Sequence, residues 1–356
     1  MKQGVLMLSQ IALTATKSFS TLLNTLHLDK FIRNNNDVRL VFYHGIGNKN
    51  TPCMKFLNDE ICESTFKSQL DYLQNKYKLV SLDDVITYYK HSEHDALNKP
   101  LCSISFDDGL STVYSKAFPL LKKKNIPFSV FLNTSVIENI NLLWLHVLGY
   151  LFTTYGVSDV AHSINSLLGK CLSKVPEDAK GIEDWCRTNM EYVYESSLLT
   201  KLAELKTVNI EEVAIEQNMY LTWLQIEEMA SHGVTFYSHT HQHFPLNAFT
   251  NERHIKSEIK EALATLAKHP DLCKIDFISF PFGMEIDYGK KAIEHAISAG
   301  HDYVVEVGDG LNTKNRVIHD KIISRVGLGN VSADNAALYC SLELWPVVKH
   351  YLKSFK

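Results

Sequence analysis

Two adjacent carboxylates, Asp107 and Asp108, close an apolar run over residues 101–106 and stand before Gly109. Bounded by Pro100 and Gly109, that run predicts a short buried strand with the acidic pair at its end. Packing gives no reason for carboxylates there, because unpaired buried charge is costly. Neighbouring like charges also push one pKa up unless a cation lies between them. A metal ion removes that conflict and divides the labour, one carboxylate ligating while the other accepts a proton. A second apolar run, residues 234–237, leads into Ser238-His239-Thr240-His241-Gln242-His243. His239 and His243 are four apart, which puts them on one face of a helical turn, and nearly so on an extended segment. Two imidazoles and one carboxylate are a zinc donor set, and a catalytic zinc keeps a further position for water. His239, His243 and one of the two aspartates therefore supply three ligands, and His241 is left without a role. The same donors also fit a non-haem iron oxygenase.

Phe106-Asp107-Asp108-Gly109 followed by His239-Thr240-x-x-His243 resembles the polysaccharide deacetylase superfamily, carbohydrate esterase family 4 with its chitooligosaccharide deacetylase-like domain. Leu221-Thr222-Trp223, Glu227-Glu228-Met229 and Gly233 resemble the lead into the histidine motif, and Phe280-Pro281-Phe282-Gly283 resembles a third motif that walls the groove. The likeness spans about residues 38–330. It implies a distorted (β/α)7-type barrel, Asp107 as base, and Asp108, His239 and His243 as metal ligands. The metal so implied is zinc in the first place, with Co2+, Ni2+ or Fe2+ able to share the ligands. Tyr43-His44-Gly45-Ile46 resembles the branch containing poly-N-acetylglucosamine de-N-acetylases, which makes His44 the general acid. An arginine that the family often carries to hold the catalytic aspartate aligns with Ser279 here, which leaves the partner of Asp107 open.

The activity implied is removal of an N-acetyl group from a glycan or glycan precursor, with an N-acetylated saccharide as substrate and acetate as product. Alternatives are a deformylase or other amide hydrolase acting on a lipid-linked sugar or small amide, and a carbohydrate-binding protein with an inactive site. Phe282, Arg325 and Trp144 are candidate substrate contacts: a groove wall, a cation for an anionic group, and an indole for stacking on a sugar ring. A surface or ion-pair role is equally open to Arg325, and a buried core role is the commoner one for a tryptophan such as Trp144.

The surrounding elements have to bring these residues together. Strands are expected at 38–43, 78–82, 101–106, 128–132, 277–280, 302–307 and 322–326. Helices are expected at 66–77 with Ser64 as cap, through 89 after Ser81, and at 114–124, 250–269 and 290–299 with Gly300 as the stop. Such alternation makes a mostly parallel sheet whose ligand site lies at the carboxyl ends of its strands. In the 250–269 helix, Ile255, Ile259, Leu263 and Leu266 face inward, with Glu252, Lys256, Glu258, Lys260 and Glu261 outward. The Asp83-Asp84 pair is read as helix-start carboxylates. Residues 139–217, with little strand pattern, form a helical insertion. The resulting division is an N-terminal helical segment 1–36, a barrel 37–330 and a C-terminal helix 331–356.

The whole chain has 356 residues, 45% hydrophobic and 21% charged, with a formal net charge of −4. That is ordinary for a globular protein and lacks the basic excess a nucleic-acid binder needs, so no nucleic-acid partner is expected. Seven scattered cysteines without a C-x-x-C pair suit reduced thiols in the cytoplasm rather than a disulfide framework. Amphipathic terminal helices allow peripheral membrane contact, and secretion is the lesser expectation.

Overall fold

The computed structural model describes residues 38–335, apart from 48–50, 58–59, 92–97, 169–172, 309 and 330, together with Leu338 and Leu342. The expected segment 1–36 and nearly all of the C-terminal helix lie outside the described residues; Leu338 and Leu342 are buried in the core.

Ten strands run in chain order: β1 Val38–Tyr43, β2 Gly45–Ile46, β3 Glu60–Ile61, β4 Lys78–Leu79, β5 Leu101–Phe106, β6 Phe128–Leu132, β7 Thr235–Ser238, β8 Cys273–Ser279, β9 Tyr303–Val307 and β10 Ile322–Gly327. Seven of them, all parallel, close on themselves in the order β1, β10, β9, β8, β7, β6, β5 and back to β1. The closure is an unbroken register from Val38 opposite Leu101 to Tyr43 opposite Phe106. β4 pairs only with Leu101 and Cys102, the end of β5 that β6 leaves free. The architecture is a (β/α)7 barrel, the fold class expected of the sequence.

Alternation along each strand sorts the two sides of the wall. Val38, Leu40, Phe131, Tyr237, Phe277, Tyr303, Val305 and Ile323 from six strands pack on one another inside, with α2 Leu82–His91 reaching them. The opposite side chains (Val41, Tyr43, Ile104, Phe106, Val130 and Phe236 among them) face outward under α1 Glu63–Lys76. The interior is therefore a packed core, and only its carboxyl-terminal rim is free to build a site.

Between β6 and β7 the described residues hold the expected insertion as six helices: Trp144–Tyr155, Val157–Leu168, Ala179–Thr188, Met190–Glu195, Leu198–Leu205 and Ile210–Gln217. They share one hydrophobic cluster with β8, β9 and the helices Glu252–Leu266 and Glu285–Ala299. No helix among the described residues is long and apolar enough to cross a membrane.

Several local expectations shift. Helix α1 starts at Glu63 with Cys62 at its cap position, so Ser64 lies inside the first turn and caps nothing. The strand expected over 78–82 ends at Leu79, because Leu82 already starts α2 with Asp83 and Asp84 in its first turn. Residues 114–124 split into a π-helical turn, Val113–Ala117, and an α-helix, Phe118–Lys123, with Pro119 in its first turn. Glu258 does not face solvent: it is 3% exposed and turned under the histidine loop.

Candidate metal and hydrolase site

Register places the reactive groups together. β1 and β5 end side by side at Tyr43 and Phe106, so the next residues, His44 and Asp107, emerge at the same point of the rim. The Asp107 N–H donates to the Tyr43 carbonyl at 2.9 Å and extends the ladder by one residue. Two strands further round, Leu132 lies opposite Ser238. The His239 N–H donates to the Leu132 carbonyl at 2.8 Å, and the histidine loop leaves the sheet there.

That loop is neither the helical turn nor the extended segment that the four-residue spacing left open. Thr240 and His243 take φ of +66° and +61°, left-handed conformations costing roughly 1–3 kcal/mol each for residues other than glycine. Hydrogen bonds from the segment after β6 and from the helix Glu252–Leu266 hold them. Asn133 donates to the His239 carbonyl. The Thr134 and Ser135 N–H groups donate to the carbonyls of Thr240 and His241. The Glu258 carboxylate accepts from the N–H groups of His241 and Gln242, the latter at 2.8 Å. Burial raises Glu258 to about 7 despite these donors. Asp108 and Gly109, at φ of +69° and +67°, make the corresponding turn after β5.

The result is a convergence of three donor atoms. The Asp108 Oδ1 lies 3.4 Å from His239 Nε2 and 3.3 Å from His243 Nε2. All three residues are buried, and that carboxylate oxygen has no hydrogen-bond partner. An anionic oxygen left so while facing two imidazole nitrogens is the environment a cation completes. The His239 Nδ1–H donates to the Ser279 carbonyl at 2.8 Å, which leaves the Nε2 lone pair free to ligate. Burial holds His243 in its neutral form, down to about 3. For Asp108, burial alone would raise the pKa, but His243, His239 and His44 hold it far below the carboxylate range. The residues fit a divalent metal.

Asp107 stands beside this group, its Oδ2 3.8 Å from His239 Nε2. Its partner is Arg325. Of the roles open to it, the structure gives the ion pair rather than the groove contact: Arg325 is fully buried and its guanidinium donates to both Asp107 oxygens, at 2.8 Å for Nη1 to Oδ1. It also donates to Ser105 Oγ and Ser279 Oγ. Its plane lies over the rings of Phe42 and Phe131, at 4.3 and 5.1 Å from their centroids. No room remains there for a substrate anion. Burial would raise Asp107, but Arg325 and then His239 outweigh it, so its pKa lies below the ordinary value.

A cavity of about 690 Å³ opens above these groups, with His44, Asp107, Asp108, His239, His243 and Phe282 in its lining. Phe282 has φ of +63° and sets its ring 5.2 Å from that of His243. Arg187, from the insertion, stacks over the Phe282 ring at 4.0 Å from its centroid and pairs with Asp287. Trp144 is not on the cavity wall: it is 5% exposed, and its Nε1–H donates to the His243 carbonyl at 3.0 Å. It supports the ligand loop rather than stacking on a sugar. His146, which the sequence reading did not single out, does line the cavity, with Nδ1 bonded to the Tyr220 hydroxyl. Its signal was available only as a histidine on the first turn of an otherwise apolar helix. His241 turns away, toward Thr134 and Glu261.

Fold and site together define a (β/α)7 barrel with a candidate metal centre on its carboxyl-terminal rim. The chain belongs to the polysaccharide deacetylase family, whose sequence model matches residues 94–163 and 197–304, half of the chain. A poly-beta-1,6-N-acetyl-D-glucosamine N-deacetylase of Staphylococcus epidermidis is 30% identical over 133 residues, 35% of this chain and 45% of that protein. The chain thus matches less than half the length of that curated relative. Among solved structures, the Streptococcus pyogenes deacetylase PplD in complex with acetate superposes with a TM-score of 0.54 at 18% identity, covering 86% of this chain and 98% of that one. IcaB from Ammonifex degensii superposes with a TM-score of 0.52 at 17% identity, over 86% and 97%. At these identities the two structures speak for the fold.

Proposed function

We propose that the protein is a metal-dependent hydrolase that removes an N-acetyl group from an amino sugar of a glycan or glycan precursor and releases acetate. The observation that carries this reading is the convergence of Asp108, His239 and His243 beside a carboxylate clamped by Arg325, at the floor of an open cavity. Family membership and the partial match to a poly-N-acetylglucosamine deacetylase support the amino-sugar substrate.

A divalent cation held by Asp108, His239 and His243, zinc by the character of the donors, would supply carbonyl polarisation and a more acidic water. The protein's own groups do the rest. Asp107 is ionised at neutral pH because Arg325 offsets its burial, so it can accept the water's proton. The bidentate guanidinium fixes both carboxylate oxygens and keeps the base from rotating toward the metal. His44, at the end of β1 on the cavity wall, is placed to protonate the departing nitrogen.

The test joins metal analysis to acetate release from β-1,6-linked N-acetylglucosamine oligomers. Zinc-loaded protein should release acetate. Asp107→Asn should bind the same metal and lose turnover by about 10²–10⁴-fold. Undiminished turnover in that variant would remove Asp107 from the role of base, and wild-type protein that binds no divalent ion would defeat the reading.

A further inference from the structure

His146 lies on the first turn of the helix Trp144–Tyr155, is 2% exposed, and contributes to the cavity wall. No role in binding the metal or moving the proton falls to it. Its surroundings nevertheless fix its chemistry. The Leu143 N–H donates to the Tyr220 hydroxyl oxygen at 3.0 Å. Tyr220 is 1% exposed, so its own hydroxyl hydrogen must also find an acceptor. The partner in reach is Nδ1 of His146. If Nδ1 carried the proton, the phenol oxygen would receive two donors and its hydrogen would be stranded in the core. The satisfied arrangement has Tyr220 donating to an unprotonated Nδ1, which puts the ring proton on Nε2.

Tyr220 is itself tied to the acidic turn. It bridges to Leu110, its neighbours Met219 and Leu221 exchange backbone hydrogen bonds with Ser111 and Gly109, and Asn139 pairs with its N–H and carbonyl. The donor edge of His146 is thus held in fixed relation to Asp107 and Asp108 by a chain of bonds, without touching either. Burial lowers His146 to about 4, so the ring is neutral at physiological pH. A neutral imidazole cannot protonate a leaving amine, but it can donate one hydrogen bond.

We propose that His146 is a substrate-binding residue that presents Nε2–H to an oxygen of the saccharide, a hydroxyl or ring oxygen of the sugar whose acetamide lies over the Asp108–His239–His243 group. This deepens the function proposed above and rests on it. His146 then selects sugars over simple acetyl compounds, because only a sugar supplies the acceptor, and leaving a buried donor unpaired is costly.

The experiment uses metal-loaded full-length protein, a β-1,6-linked N-acetylglucosamine pentamer, and 4-nitrophenyl acetate, which carries no sugar oxygen. His146→Ala should lower kcat/KM on the pentamer about tenfold, mainly through KM, with unchanged metal content and a loss several times smaller on the aryl ester. His146→Gln, which can place an amide N–H nearby, should recover part of the pentamer activity. Imidazole ¹⁵N shifts of the wild type should report an Nε2–H tautomer at His146, and Tyr220→Phe should shift it toward Nδ1–H. Equal losses on both substrates, an unchanged KM for the pentamer, or an Nδ1–H tautomer in the wild type would each overturn the inference. Failure of the wild type to release acetate from the pentamer defeats the function proposed above instead, and the ¹⁵N tautomer still decides the arrangement claimed for His146.

Discussion

A carboxylate as buried as Asp107 would ordinarily take up a proton; a guanidinium supplied from 218 residues further along the chain prevents it. Replacing that guanidinium by a neutral side chain of similar length, Arg325→Met, leaves a buried carboxylate with little compensation. The acid limb of the pH–activity profile should move to higher pH as the Asp107 pKa rises. Stability should fall by about 3–5 kcal/mol, read from chemical denaturation at pH 7. An unmoved acid limb would mean that Arg325 does not set the ionisation of Asp107. The candidate site residues were legible in the sequence because Asp107-Asp108-Gly109 and His239-x-x-x-His243 are local patterns, and the fold brings them together. Their supports were not. Arg325 read as a strand residue open to a groove, surface or ion-pair role with no partner named, and Glu258 fell on what looked like the solvent stripe of its helix. A charge is assigned to the surface by pattern unless a distant partner is known, and these partners lie 16 to 218 positions away.

At the scale of elements, strands whose inner and outer faces are both covered stood out as short apolar runs, and β5, β6 and β9 fell within a residue of expectation. Spacing left the backbone of the histidine loop open, since a four-residue interval suits a helical turn and nearly suits an extended segment, and the actual conformation is set by hydrogen bonds from other elements. The helix Trp144–Tyr155 carries both Trp144, which supports the ligand loop, and His146. Its seat is Gly149, where a Cβ would stand 2.0 Å from the Cys53 carbonyl oxygen. Thr153 also donates to the Pro52 carbonyl at 2.8 Å. Gly149→Ala should therefore displace this helix, costing about 1–3 kcal/mol and reducing acetate release although residue 149 is remote from the metal ligands in sequence. Unaltered denaturation midpoint and kinetics would show that the helix can shift there without consequence.

For the molecule as a whole, burial pulls two groups in opposite directions. Glu258 is raised from 4.5 to about 7, so its protonation favours the folded state and its contribution is lost as pH rises through about 7. His146 is lowered from 6.5 to about 4, so the unfolded chain takes up its proton first and stability drains away as pH falls from 6.5 toward 4. In metal-free protein the two partly cancel between pH 4.5 and 6.5. Glu258→Gln removes the compensating group, so its stability should fall more steeply with acid than that of the wild type. The difference should be on the order of 3 kcal/mol across the window, measured by denaturation at several pH values. Parallel pH curves would place Glu258 in a less buried setting.

The stretch that matches the family spans 94 to 304, yet the ring is sealed by β1 sitting between β5 and β10, and both β1 and β10 lie beyond those limits. A polypeptide trimmed to that stretch would keep every ligand of the candidate centre and still be a broken hoop. With β9 cut back to Tyr303 and Val304, two raw margins, β5 and β8, would be exposed for pairing with other copies, and His44 and Arg325 would be missing. It should aggregate on expression and release no acetate, whereas supplying residues 38–93 and 305–356 in the same chain should restore a soluble, metal-binding protein.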